Sequence, residues 1–368
     1  MKTIINDLGY YKPSYPVDRL DEAENILFMD IETTGFTAKS SNLYLIGCAY
    51  FKENEWHTIQ WLAENYDEEV QVLNAFLEYC LNYGFIVHFN GNRFDLPYLT
   101  QKCEMYGIPF KFDDFKGVDL YKRIKPYKNF LKLENCKQTT IESFLGVKRE
   151  DTYTGGELIN IYHDYVCEHD EEKEAVLLLH NKSDLVGMLD MLSVLAFSDL
   201  FNLPIRVMKV QANYYNDYNG KKRQELVLSL RFLSEIPVSV SYGANGCYFT
   251  GNGVNGVLKV PLYNEEMKYY YSNYRDYYYL PEEDMAVHKS VAASVDPDHR
   301  RQATAATCYT RKESSYLPQW EPLFTPFFKR SFRDPDYFFE LTDEFKTSRT
   351  SFNQYAEHVL QNMVVAEE

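Results

Sequence analysis

Nothing in this 368-residue chain reads as a membrane span or a secretion signal. No apolar run approaches the roughly 20 residues that a bilayer-crossing helix needs, and the opening MKTIINDLGYYKPSY lacks the apolar centre of a signal peptide. Cysteine is scarce and unpatterned. Seven residues, an odd number, stand without CxxC spacing, which argues against a disulfide framework or a zinc site and for reduced thiols in the cytoplasm. Positive charge is also short, 38 Lys and Arg against 54 Asp and Glu, for a net charge of −16. A protein that grips nucleic acid through bulk electrostatics is thereby disfavoured. What remains, 45% hydrophobic and 25% charged residues, describes a globular protein long enough for two domains.

The charge is unevenly spread. Residues 111–149 run against the trend with ten Lys and Arg to five Asp and Glu. Their GVDLYKRIKPYKNFLKLENCKQ interleaves basic residues with Tyr121, Tyr127 and Phe130, a mixture that can follow a phosphate backbone and stack bases. An ordinary solvated loop and helix face would look the same.

The stretch NILFMDIETTGF, residues 25–36, is a strand that carries two carboxylates just before it ends. Side chains alternate across a strand, so Ile26, Phe28, Asp30 and Glu32 share one face, and Leu27, Met29 and Ile31 the other. Both faces are apolar up to Asp30, which predicts a central, doubly covered strand. Two neighbouring acids there repel each other and resist desolvation. A divalent cation would relieve both penalties, and oxygen donors suit Mg²⁺ or Mn²⁺. The plainer alternative is a polar strand end, closed by the turn TTG, with both acids in water.

NLYLIGCAYF and EWHTIQWLA, separated by KENE, add two strands to an antiparallel meander. Helical spacing follows from Val70 to Leu81, ending at Gly84. FIVHFN is a further buried strand. It leads through Asn90 and Gly91 to a helix, DLPYLTQKCEMYG, with Asp95 expected at its N-cap. GVDLY is a short fifth strand whose Asp119 is expected to be structural; TTIESFLG and the long run after His169 are helical. In LLLHNKSDLVGML, His180 and Asp184 are spaced i, i+4 and share one helix face. Three antiparallel strands, then strands with helical crossovers, predict an α/β, ribonuclease-H-like mixed five-stranded sheet with flanking helices. Residues 25–204 would form this domain, after a lead of residues 1–24. Residues 205–368 read as a smaller α+β domain of unknown function. It would contain short strand-and-turn units, two helices (EDMAVHKSVAASV and DPDHRRQATAAT) and tyrosines available for core or interface packing.

FMDIETTGF, FNGNRFDLPYL and HNKSD together resemble the three motifs of the DEDD superfamily of 3′–5′ exonucleases. The second is similar to the exonuclease domain of family B DNA polymerases. The chain as a whole, LENCKQTTIESFLGVKRED included, resembles bacterial YprB-type ribonuclease-H-like domain proteins, over roughly residues 20–200. The resemblance implies two Mg²⁺ or Mn²⁺ ions, one on Asp30, Glu32 and Asp184 and a second on Asp30 and Asp95. It also implies His180 as general base, and Asn90, Gly91 and Asn181 as substrate-holding residues, with Phe94 packing beneath the site. The substrate would be single-stranded DNA or RNA, cut from the 3′ end. The pattern departs from the family in one respect. Usual forms carry Tyr four residues, or His five residues, before the last Asp; here His stands at four. A nucleic-acid-binding module on a retired nuclease fold, or a protein-interaction scaffold, are the rival classes.

Overall fold

The computed structural model describes every residue except 10, 150, 218 and 366–368. The chain divides into two compact units, residues 1–199 with 236–238, and residues 200–235 with 239–368. In the first, β1 (Lys2–Asp7), β2 (Ile26–Thr33), β3 (Leu43–Lys52), β4 (Glu55–Leu62), β5 (Phe85–His88) and β6 (Lys116–Asp119) form one sheet in the order β1-β4-β3-β2-β5-β6. Neighbours from β1 to β2 pair antiparallel, whereas β5 pairs parallel with both β2 and β6. The meander, its parallel extension and the central place of β2 are as expected. The sixth strand is an addition: β1 pairs along β4 from Lys2↔Leu62 to Asp7↔His57. It escapes sequence reading because it lies at an edge, half-buried on one face and exposed on the other, so it has no apolar run.

Helices α1 (Glu69–Cys80), α2 (Asp95–Tyr106), α3 (Leu120–Ile124), α4 (Gln138–Leu145), α5 (Gly155–Glu168) and α6 (Glu171–Met191) surround the sheet. Val72, Leu73, Phe76 and Leu77 of α1 join Leu27, Met29 and Ile31 of β2 in one core. Helix α6 reaches the face that carries Asp30, through Asn181. Its inward side mixes Leu177, Leu185 and Met188 with His180 and Asn181, all buried. Helix α5 was not expected, since Gly155 and Gly156 open it. Its start is fixed by Glu157, whose carboxylate accepts the Thr154 N–H at 2.8 Å. Helix α2 begins at Asp95 with Phe94 at the cap position and no side-chain cap bond, so Asp95 is not the N-cap.

The basic stretch also reads differently in three dimensions. Lys122, Arg123, Lys125 and Lys132 are exposed, but Tyr127 and Phe130 are buried. The segment therefore exposes charge, while two of its three quoted rings are spent on packing and Tyr121 is half-buried.

The second unit is mostly β. Strands β7 (Arg206–Asn216), β8 (Lys222–Ala244), β9 (Cys247–Tyr270), β10 (Tyr277–Leu280), β11 (Met285–His288), β12 (Arg301–Gln302), β13 (Tyr309–Gln319), β14 (Phe327–Phe328) and β15 (Tyr337–Glu340) make two sheets, β14-β15-β13-β9-β8-β7 and β11-β10-β12. The expected short units merge into two strands of more than twenty residues, turned at Asn245 and Gly246 with φ of 53° and 75°. Neither of the two helices expected between residues 283 and 307 forms. Met285–His288 pairs with Tyr277–Leu280 instead, leaving one turn of helix at Lys289–Ala292. Strand pairing over Met285–His288 overrides the local helical spacing. The long helix of this unit, Arg349–Val365, lies in the tail.

Candidate active site

The site forms where β2 ends. Asp30 lies opposite Gly47 of β3, and Gly47 lies opposite Gln60 of β4. Asn181 of α6 is fully buried over this row. Its amide nitrogen donates to Asp30 Oδ2 at 2.9 Å, and its Oδ1 accepts from Gln60 Nε2 at 2.9 Å. Only glycine permits this, because a Cβ at residue 47 would stand 1.9 Å from Asn181 Oδ1. Asn181 therefore has no surface for substrate. It aims the Asp30 carboxylate, and the substrate role expected of it is corrected.

Asp95, at the first position of α2, is buried. Burial pushes its carboxyl up to about 7 against the lowering influence of the Asp95 and Ile31 backbone amides, with Asp119 and Asp184 adding to the rise. Burial also raises Asp30 well above the ordinary carboxylate range, and the charges of Asp184, Glu32 and Asp95 push the same way. Glu32 is raised by burial and by Asp184 and Asp95, against a lowering influence from Arg149.

His180 and Asp184 project from α6 as the i, i+4 spacing requires. His180 Nδ1 is 2.7 Å from Asp151 Oδ2, while Nε2 lies 3.4 Å from Asp184 Oδ2 and 3.6 Å from Glu32 Oε1. Glu32, His180 and Asp184 each offer a donor atom within 4.8 Å of the others, the one such group of metal-ligating side chains among the described residues. Asp30 and Asp95 stand outside this triplet and act on it through their charge.

Three residues here carried no role in the sequence reading. Arg149 pairs with Asp184 Oδ1 at 2.7 Å, with Asp151 at 3.3 Å and with Glu142 at 3.4 Å. Asp151 is buried and receives the Tyr153 N–H at 3.1 Å as well as His180. Glu142 on α4 sits against Gly187 of α6, where a Cβ would come within 2.1 Å of its Oε1. The signal was the string VKRED inside the segment quoted for its resemblance; nothing in spacing alone assigns it.

The β5–α2 loop is held from behind. Asp119 Oδ1 accepts the Asn90 N–H at 2.8 Å and the Lys122 N–H at 3.3 Å, so Asp119 is a loop organiser. Gly91 is buried and donates its N–H to His88 Nδ1 at 3.2 Å. That spends the group expected to meet substrate, and a Cβ there would press within 2.7 Å of the His88 ring. Asn90, at φ 60°, is half-buried and its Oδ1 is buried without a partner. Phe94 packs partly on the core and meets Phe36 edge-on at 6.1 Å; Phe36 itself is 91% exposed.

Six carboxylates (Asp30, Glu32, Asp95, Glu142, Asp151 and Asp184), an imidazole and one arginine thus leave an excess of negative charge in a largely buried place. The donors fit a hard or borderline divalent cation, for their raised carboxyl groups are those a cation would ionise. No helix among the described residues is long and apolar enough to cross a membrane.

Residues 27–196 match the family model described as the RNase_H superfamily. No curated protein matches the chain by sequence. Similar solved structures include the family B DNA polymerase of the hyperthermophilic archaeon Pyrobaculum calidifontis, at 15% identity and TM-score 0.37, over 57% of this chain and 34% of the polymerase. Escherichia coli exonuclease I in complex with a dT13 oligonucleotide is similar at 12% identity and TM-score 0.31, over 57% of this chain and 55% of that one. A further structure of exonuclease I gives 10% identity and TM-score 0.32 over the same shares. The chain spans about a third of the polymerase and just over half of the exonucleases. Its first unit has the mixed sheet with flanking helices of a ribonuclease-H-like fold.

Proposed function

We propose that the chain is a metal-dependent nuclease that hydrolyses phosphodiester bonds, a 3′–5′ exonuclease on single-stranded DNA or RNA. The observation that carries this reading is the gathering of Asp30, Glu32, Asp95 and Asp184 from β2, α2 and α6 into one cluster, Asp95 buried and the other three half-buried. Burial first, and then their mutual repulsion, raises Asp30, Glu32 and Asp95. A fold keeps such charges together at a cost unless a cation offsets them. Asp30, Glu32 and Asp184 would hold one ion, Mg²⁺ or Mn²⁺, and Asp30 with Asp95 a second. Bound ions would supply an acidified water and stabilise charge on the phosphate.

The protein's own residues do the positioning. Asn181 holds Asp30, Arg149 holds one oxygen of Asp184, and Asp151 holds the His180 ring with Nε2 turned inward. The exposed lysines of residues 122–132 would offset phosphate charge along the approaching strand. Phe36, exposed with Phe94 against it, would be available to stack on a terminal base. The direction of digestion and the membership of the DEDD group rest on the motif resemblance.

The test is cleavage of 5′-labelled single-stranded DNA and RNA with Mn²⁺, Mg²⁺ or EDTA. A metal-dependent ladder shortening from the 3′ end is expected, reduced by roughly 10³-fold or more in Asp30→Asn. Retained binding with no cleavage of either strand would instead support a binding module on a retired nuclease fold. Phe36→Ala should raise KM by roughly 5- to 100-fold, the worth of one stacked base, with kcat little changed; an unchanged KM would remove Phe36 from the strand path.

A further inference from the structure

We propose that His180 is a metal ligand, and that Glu32, His180 and Asp184 form a mixed oxygen–nitrogen site for a divalent transition-metal ion, taking Mn²⁺, Co²⁺ or Zn²⁺ ahead of Mg²⁺. This deepens the nuclease reading, on which it rests for the presence of an ion, and it reassigns the residue that the motif resemblance makes a general base.

Geometry is the first ground. Bonds of about 2.1 Å to a tetrahedral or octahedral ion set neighbouring donor atoms about 3.0–3.5 Å apart. His180 Nε2 lies 3.4 Å from Asp184 Oδ2 and 3.6 Å from Glu32 Oε1, and makes a hydrogen bond to neither. A general base would instead have to look past the ligands toward a water. The space in front of this nitrogen is bounded by the ligand oxygens themselves.

The second ground is what stands behind the ring. His180 is buried, and its Nδ1 is 2.7 Å from the Asp151 carboxylate, which is itself buried. A carboxylate that takes the N–H of one ring nitrogen leaves the lone pair on the other, the arrangement that orients metal-bound histidines. Without a cation, that lone pair would face two carboxylate oxygens. Asp184 is divided in the same sense: Oδ1 is held by Arg149 at 2.7 Å, and Oδ2 faces His180. Arg149 also contacts Asp151 at 3.3 Å, so one guanidinium fixes both the ligand carboxylate and the carboxylate behind the histidine.

The third ground is donor chemistry. Replacing one oxygen donor by imidazole moves a site from the preference of Mg²⁺ toward that of borderline transition metals. The placement of histidine one turn before Asp184 is what brings Nε2 among the oxygens. A doubly protonated ring held among the acids by charge alone predicts, in contrast, a metal affinity that does not depend on His180.

The experiment is metal binding by the full-length chain, stripped with EDTA and dialysed, in the absence of nucleic acid. Mn²⁺ is titrated by the loss of its free electron-paramagnetic-resonance signal, and Mg²⁺ by calorimetry. The wild type should bind Mn²⁺ more tightly than Mg²⁺. His180→Ala should weaken Mn²⁺ by roughly 10-fold or more and Mg²⁺ by much less. Asp151→Asn, which keeps the side-chain shape, should weaken Mn²⁺ by roughly 10- to 100-fold; it also serves if the alanine variant does not fold. A crystal grown with Mn²⁺ should show an anomalous peak about 2.2 Å from Nε2. Equal Mn²⁺ affinity in wild type and both variants, or no Mn²⁺ binding by the wild type, overturns the assignment. A chain that binds Mn²⁺ through His180 yet cleaves no nucleic acid overturns the nuclease reading and leaves the ligand in place.

Discussion

Two sets of buried charge in the first unit solve the same problem in opposite ways. Lys102 of α2 and Glu69 of α1 meet at 2.6 Å, both side chains almost fully buried. Glu69 also accepts the Leu43 N–H at 2.6 Å and the Tyr106 hydroxyl at 2.5 Å, and Lys102 donates to the Ser41 carbonyl at 2.6 Å. Every charge there has a protein partner of opposite sign or a hydrogen bond. Around Asp30 the sum does not close. Arg149 faces Asp184, Asp151 and Glu142 together, and Asp30 has an amide for company but no cation. A satisfied buried pair ties two helices and the β2–β3 connection together, whereas an unsatisfied one marks a place for a ligand from outside.

Neutralising substitutions should therefore act with opposite signs in the two places. Lys102→Met leaves Glu69 buried without its cation and should destabilise the chain by about 3–5 kcal/mol, measured by urea denaturation. Asp30→Asn removes one of several repelling charges, so in EDTA it should leave stability equal or higher while hydrolysis disappears. If both variants lost stability alike, the acid cluster would be an ordinary structural network. Gly47→Ala joins the two effects in one residue. Its methyl would meet Asn181 Oδ1 at 1.9 Å and Leu185 at 2.8 Å. The expected outcome is a loss of about 1–3 kcal/mol from overpacking, with a fall in kcat as Asp30 loses its amide. Normal turnover in that variant would show that Asn181 does not hold Asp30 in its working position.

How much of this could be read from the chain follows from how local each signal is. The period of two through Ile26–Glu32, the helical spacing of α1 and the i, i+4 relation of His180 and Asp184 are short-range, and the structure contains them. The place of β1 depends on a partner at least fifty residues away and on one half-buried face, so its sequence looks like a polar lead. Asn181 looks like a surface polar residue until Gly47 and Gln60 are brought beneath it from two other strands. Arg149 and Asp151 belong to a loop whose role appears only when α6 is laid beside it. In the second unit, glycines that signal turns, such as Gly253 at φ 55°, lie inside a continuous strand. Parts of the expected helices are captured there by the tyrosine strand Tyr277–Leu280, which pairs with Met285–His288 and with Arg301–Gln302.

The smallest effect separates the two charge sets most cleanly, because it needs no substitution. Asp95 is raised from 3.8 to about 7, and Asp30 and Glu32 are raised as well. A carboxyl group raised in the fold binds more protons there than in the unfolded chain over the interval between the two values. Stability then falls as pH rises through that interval. In EDTA the chain should thus lose stability between pH 5 and pH 7, with a slope of no more than about 1.4 kcal/mol per pH unit for each proton released. Saturating Mn²⁺ takes over the role of those protons, so it should flatten the slope and raise stability most at the higher pH. The measurement is a pair of urea denaturation series across pH, with chelator and with metal. Asp95→Asn removes one contributor and should reduce the slope in EDTA, whereas Lys102→Met, which leaves the buried Glu69 carboxyl without its cation, should lower the whole curve without reducing its slope. A pH-independent stability in EDTA, or a slope that Mn²⁺ leaves untouched, would mean that the carboxylates at the end of β2 are neutralised within the protein after all.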